Sequence, residues 1–190
     1  MGRMVIELAD QRIERSCNQR VGDWLRPSPP APGIERIEAF FAGHAYAPHR
    51  HDTYALGLTL DGVQAFRYRG APAVSLPGRA IVIHPDELHD GAAGTAEGFR
   101  YRMLYLAPSL VQAGLGGAAR ALPFVRDAVT TDRRLMAALA AAFADPCGPP
   151  APLEVPQIVV GLADALAALD PATRQQRSTA ACAAAVERAR

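Results

Sequence analysis

Lysine is missing from this 190-residue chain, and every one of its 20 basic residues is an arginine. Against 19 acidic residues this leaves a formal net charge of +1. No strong overall field therefore draws the molecule to nucleic acid or away from it. The arginine-only usage and the alanine-rich last third read as compositional bias. Cysteine is scarce: Cys17, Cys147 and Cys182 are odd in number, far apart and in no metal-type spacing. That excludes a disulfide framework and suggests reduced thiols in a cytoplasmic protein. No apolar run approaches the roughly 18 residues of a membrane span. Glu7, Asp10 and Glu14 interrupt anything resembling a signal peptide. Also absent are internal repeats, a phosphate-cradling glycine loop, and any Ser/His/Asp or Cys/His nucleophile arrangement. The expectation is a soluble, cytoplasmic protein with no membrane partner.

What the chain has is apolar residues, 49% of it, enough for a sizeable core. Residues 1–26 mix charges with a few apolar positions and read as a helix or a strand-like arm. Arg26–Gly33 (RPSPPAPG) cannot continue a helix and predicts a stiff linker. Short β-like runs follow at Ile34–Ala42, Tyr54–Leu60, Val63–Tyr68, Ala80–His84 and Phe99–Leu106. Asp61-Gly62 between two such runs predicts a hairpin. Arg69-Gly70 and Pro77-Gly78 mark further turns, and Asp90–Gly98 reads as a Gly/Ala loop. Short strands with regular turns favour a sandwich or barrel.

From Ser109 the pattern turns helical: a short Ser109–Ala113 segment, then Leu135, Ala138, Leu139, Ala142 and Phe143 at helical spacing. Thr131 or Asp132 would cap this second helix. Val155, Val159, Leu162, Leu166 and Leu169 form a heptad-like seam, ended by Asp170-Pro171. Thr179–Arg190 is helical in propensity. The seam has two readings, packing on the chain's own barrel or pairing with its copy in a homodimer.

The chemistry concentrates in five histidines, His44, His49, His51, His84 and His89, four of them at strand ends. His49 and His51 are two apart, so in an extended chain they share a face. Two imidazoles on one face of a barrel mouth can hold a metal or hydrogen-bond a polar ligand; the plain alternative is a pair of rim histidines. The same-face rule adds Ala55, Gly57 and Thr59, small residues that leave room for a ligand, and sets Tyr54, Leu56, Leu58 and Leu60 on the opposite face. In Phe99–Leu106, Tyr101, Met103 and Tyr105 share one face and Arg100 and Arg102 the other. Either set could point inward, giving aromatic stacking or bidentate carboxylate recognition.

The stretch resembles the two cupin motifs. In the first, His49, His51 and Gly62 match, and Gly62 places the motif's glutamate at position 55, which is Ala55. In the second, Gly78 and His89 fall in register, with His84 and Asp86 where proline and glycine are expected. The resemblance implies a mainly β fold, a cupin (double-stranded β-helix, jelly-roll) barrel followed by a helical hairpin. It implies a metal site at His49, His51 and His89 holding zinc or nickel, with Glu87 as a substitute fourth ligand; otherwise these histidines are polar contacts for an organic ligand. HRHDTYALGLTLDGVQAFRYRG, LPGRAIVIHPDELHDG and GFRYRMLYLAPSL more narrowly resemble the N-terminal sensor domain of AraC-type transcription regulators. That likeness implies a small-molecule effector in the barrel and dimerisation through the helices. DNA binding would fall to a C-terminal helix-turn-helix domain that this chain does not reach, with the final AVERAR resembling its first helix.

The expected organisation is an arm and linker over 1–33, the barrel over 34–115, a helical dimerisation segment over 116–176 and the start of the next domain over 177–190. The expected ligand contacts are His49, His51, Thr59, His84, Glu87, His89 and Tyr101. The leading function is a non-catalytic effector-sensing and dimerisation domain. The alternatives are a metal-dependent cupin enzyme, a dioxygenase or isomerase, and a storage or structural cupin. Ala55 at the carboxylate position counts against the enzyme.

Overall fold

A computed structural model describes residues 22–116, 121–145 and 148–172. In chain order the strands are β1 (Trp24–Pro27), β2 (Ile34–Phe41), β3 (His44–His49), β4 (Tyr54–Gly62), β5 (Gln64–Tyr68), β6 (Ala71–Ser75), β7 (Ala80–Ile83), β8 (His89–Ala93) and β9 (Phe99–Leu106). Helix α1 (Pro108–Gly114), strand β10 (Val129–Thr130) and helices α2 (Arg133–Ala142) and α3 (Glu154–Leu169) follow. All strand pairs are antiparallel. They form a six-stranded sheet, β1-β2-β9-β4-β7-β10, facing a four-stranded one, β3-β8-β5-β6.

Strand alternation divides the core in two. Ile37, Ala39, Phe41, Ala55, Ile81, Ile83, Phe99, Tyr101 and Met103 point from the larger sheet toward Tyr46, Phe66 and Tyr68 of the smaller one. The intervening residues, Ile34, Tyr54, Leu56, Val82, Leu104 and Leu106, point the other way and are covered by Val111, Leu135, Leu139, Leu162 and Leu166 of the helices. The open choice on β9 is thereby settled. Its tyrosines face inward, while Arg102 and Arg100 face outward onto Glu38, at 2.8 and 3.8 Å.

Three expectations are corrected and one open choice is decided. Asp61-Gly62 is no hairpin. β4 and β5 lie in different sheets, and the turn is a corner where Gly62, at φ 69°, packs so closely on Gly98 that a Cβ would overlap the Gly98 carbonyl oxygen. The hairpin occurs instead at Arg69-Gly70, both residues at positive φ, joining β5 to β6. The proline-rich stretch is less a linker than part of a tight return. Trp24–Pro27 pairs with Ile37–Phe40, and Ala31 bridges Ile34. Asp90–Gly98 is not all loop, because β8 crosses the middle of the small sheet with small side chains; Gly91 lies against Tyr46. Lastly, the heptad-like seam is occupied within the chain. Val159, Leu162 and Leu166 are buried on the sheet and α2, with Val155 and Leu169 packed beside them.

The strand runs and all three helices otherwise stand where the pattern put them. Asp132 caps α2 by accepting from the backbone N–H groups of Arg134 and Leu135. The barrel reaches beyond 34–115 at both ends, through β1 and β10. The segment 177–190 lies outside the described residues. No helix among the described residues is long and apolar enough to cross a membrane.

Candidate functional site

The barrel mouth is assembled by β3, β8 and the turn into β4. His49 and His89 are directly opposite in the β3–β8 register, which brings their rings to 4.3 Å. His51 lies beyond the end of β3, so it reaches the same place by a turn and not by strand alternation. Its carbonyl accepts from the Asp86 N–H at 2.8 Å. Its ring stands 4.7 Å from His89, 6.1 Å from His49 and edge-on to Tyr105 at 5.4 Å.

All three rings are held the same way. Nδ1 of His49 faces the Ala47 carbonyl at 2.8 Å, that of His51 the Thr53 carbonyl at 2.8 Å and that of His89 the Glu87 carbonyl at 2.9 Å. A carbonyl oxygen only accepts, so each Nδ1 carries a proton, and where the ring is neutral its Nε2 presents a lone pair. The Nε2 of His51 is buried and has no hydrogen-bond partner, an arrangement native interiors rarely tolerate without a reason. Burial pushes the His89 imidazolium down to about 3, and the nearby His49 and His51 push the same way against the Glu87 carbonyl. Burial likewise lowers His51. Both rings are neutral at physiological pH.

Below the mouth the wall is aromatic. The ring of Tyr46 lies 5.8 Å from His49, and its hydroxyl is hydrogen-bonded to that of Tyr101, which stacks between Phe41 and Phe99. Tyr46 was missed because the sequence reading placed no strand over His44–His49; β3 is irregular on both sides of Tyr46, so no period of two marks it. Thr59 also points inward, but about 13 Å further along β4 than Ala55 by strand rise; there its hydroxyl meets that of Ser75 at 2.7 Å. The room expected at Gly57 is taken by Met103, whose sulfur would lie 2.8 Å from a Cβ there.

Two expected contacts are elsewhere. His84 is on the outer face of β7, in ring contact with Tyr54 and Phe124, and its Nε2 accepts from the Val125 N–H at 3.0 Å. The Glu87 carboxylate pairs with Arg69 at 2.9 Å, so only the Glu87 carbonyl serves the mouth. With Ala55 at the carboxylate position and Glu87 engaged by Arg69, a metal at the mouth would have the imidazoles of His49, His51 and His89 as its side-chain ligands and no carboxylate from either position. Among the described residues no group of three or more His, Cys, Asp or Glu side chains is disposed to hold one.

Solved structures and one family model are similar to parts of this chain. The solved structures similar to the chain include a cupin superfamily protein from Desulfitobacterium hafniense, 13% identical over 47% of this chain and 82% of that one, TM-score 0.43. They include the cupin domain of an XRE family transcriptional regulator from Enterobacter cloacae, 14% identical over 45% and 97% of the two chains, TM-score 0.41. An HTH_3 family transcriptional regulator from Vibrio cholerae is 18% identical over 52% and 59%, TM-score 0.41. No curated protein matches significantly. The model of the AraC-like ligand binding domain matches residues 31–181, spanning the barrel and its helices, and the chain belongs to that family.

Proposed function

We propose that this chain is the effector-sensing domain of an AraC-type transcription regulator, non-catalytic, and that the effector is a small organic molecule held at the barrel mouth. One observation carries the reading: three clustered imidazoles with fixed tautomers, one with a buried and unpartnered Nε2, line the mouth of a ligand-binding-domain barrel. His49, His51 and His89 are the contacts, with Tyr105 beside them. Tyr101 acts through Tyr46, and Thr59 lines the deeper wall. In the full regulator the chain works as a homodimer whose DNA contacts lie in a helix-turn-helix domain. Its dimer contact uses side chains other than the seam, which the chain's own core occupies.

The test is thermal unfolding with a panel of sugars, polyols, amines, amino acids and aromatic acids. A true effector at a hundred times its Kd raises stability by about 2.7 kcal/mol. The gain disappears in His51→Ala and His89→Ala, provided the variants remain folded by circular dichroism. An effector whose effect survives in both places the site elsewhere. Metal-dependent turnover lost in His49→Ala restores the cupin-enzyme reading.

A further inference from the structure

The hydrogen-bonding state of the mouth restricts what it can hold. Each of the three histidines donates its Nδ1–H to a backbone carbonyl two residues away. What remains at the buried, neutral rings of His51 and His89 is an acceptor. The Nε2 of His51 is walled off from solvent with nothing donating to it, and His89 is 6% exposed. The groups that recognise carboxylates are turned away or engaged. Among the described residues Arg36 is the one buried arginine and no aspartate or glutamate is buried; Arg36 donates to the carbonyls of Ala142, Asp145 and Gly148, away from the mouth. Arg100 and Arg102 face outward to Glu38, Arg69 is paired with Glu87, and Arg50 donates to the Asp86 carbonyl.

We infer that the mouth takes its ligand through hydrogen bonds that the ligand donates, from hydroxyl or ammonium groups, and rejects carboxylates. This rests on the sensing role proposed above and narrows the effector class to polyols and amines. A carboxylate would meet lone pair against lone pair. At His51 and His89 it could be bound only with a proton on one imidazole, which burial opposes.

The test needs no knowledge of the natural effector. Nitrogen-15 spectra of the imidazoles are recorded on chelator-treated protein at neutral pH. Three probes of one size follow: 1-propanol, propylammonium and propionate. The expected result is a bare Nε2 on His51 and His89, a shift of the His51 Nε2 resonance with propanol or propylammonium, and none with propionate. Which of the two responds separates a polyol site from an amine site. A protonated Nε2 on His51 or His89 in the free protein, a response to propionate, or silence toward all three overturns the inference. So does stoichiometric zinc chloride that shifts all three Nε2 resonances and blocks the probes, since the mouth is then a metal centre. A propionate response at His51 would leave the sensing role standing. An effector from the wider panel that ignores His51→Ala and His89→Ala would remove that role as well.

Discussion

Replacing Leu162 by alanine separates the two readings of the α3 seam. Leu162 has no exposed surface and sits among Leu135, Leu139 and Leu166, beneath the outer face of the large sheet. Truncating such a residue forfeits its transfer free energy and leaves a cavity, together about 3 kcal/mol. For a chain of this size that lowers the melting temperature by roughly 6–12 °C. Val160, two residues earlier and on the solvent side, is 45% exposed. Val160→Arg should therefore change stability by no more than about 0.5 kcal/mol. The assay is thermal unfolding at several protein concentrations, with size-exclusion chromatography of both variants. A Leu162→Ala protein that melts like the parent but dissociates on the column would refute the packing argument and return the seam to an intersubunit contact. For the same reason Leu162→Asp with Leu166→Asp should not yield a folded monomer, because two carboxylates would enter an apolar core.

Stability should fall on mild acidification. His89 stays neutral in the fold down to about pH 3, whereas the unfolded chain takes up its proton near 6.5. The unfolded state then binds more protons, so stability is lost progressively as pH drops from 6.5 toward 3, at up to about 1.4 kcal/mol per pH unit for each such histidine. His51 and His84, both lowered chiefly by burial, add in the same direction. Urea unfolding across this range checks it, with His89→Gln giving a flatter profile; a gain in stability on acidification would contradict it. Arg36 should prove structural. It is 3% exposed and donates to the carbonyls of Ala142, Asp145 and Gly148 at 2.9, 3.0 and 2.7 Å, closing the C-terminal end of α2 onto β2. Arg36→Leu should cost about 2–4 kcal/mol and raise hydrogen exchange at the end of α2. Arg36→Lys should recover only part of this, since an ammonium lacks the planar fork that reaches three carbonyls.

Much of the site was legible in the sequence, because its signals are local. In the resemblance to the cupin motifs, Gly62 and Gly78 set the frame that puts His49, His51 and His89 together and Ala55 where a carboxylate would stand. The outward set on β4, Tyr54, Leu56 and Leu58, followed from a period of two and does pack on the helices. The Asp132 cap and the Asp170-Pro171 stop came from the chemistry of single helix ends. The miss at Tyr46 has an equally local cause, the irregular register of β3.

What only the tertiary structure decided is partnership. Asp61-Gly62 marks a sharp turn, yet whether the strands on either side pair with each other depends on β9 and β7 having taken both edges of β4. His84 and His89 look equivalent in a row of residues, but the first falls on the outer face of β7 and the second opposite His49. The faces of β9 carry tyrosines and arginines in strict alternation, and only closure of the second sheet over one of them determines which meets a ligand. The seam of α3 is apolar either way; what covers it depends on where the rest of the chain lies. Alternation, turns and caps are properties of neighbours in sequence and so can be read there. The inner face, the strand partner and the exposed surface are set by contacts between residues far apart in the chain.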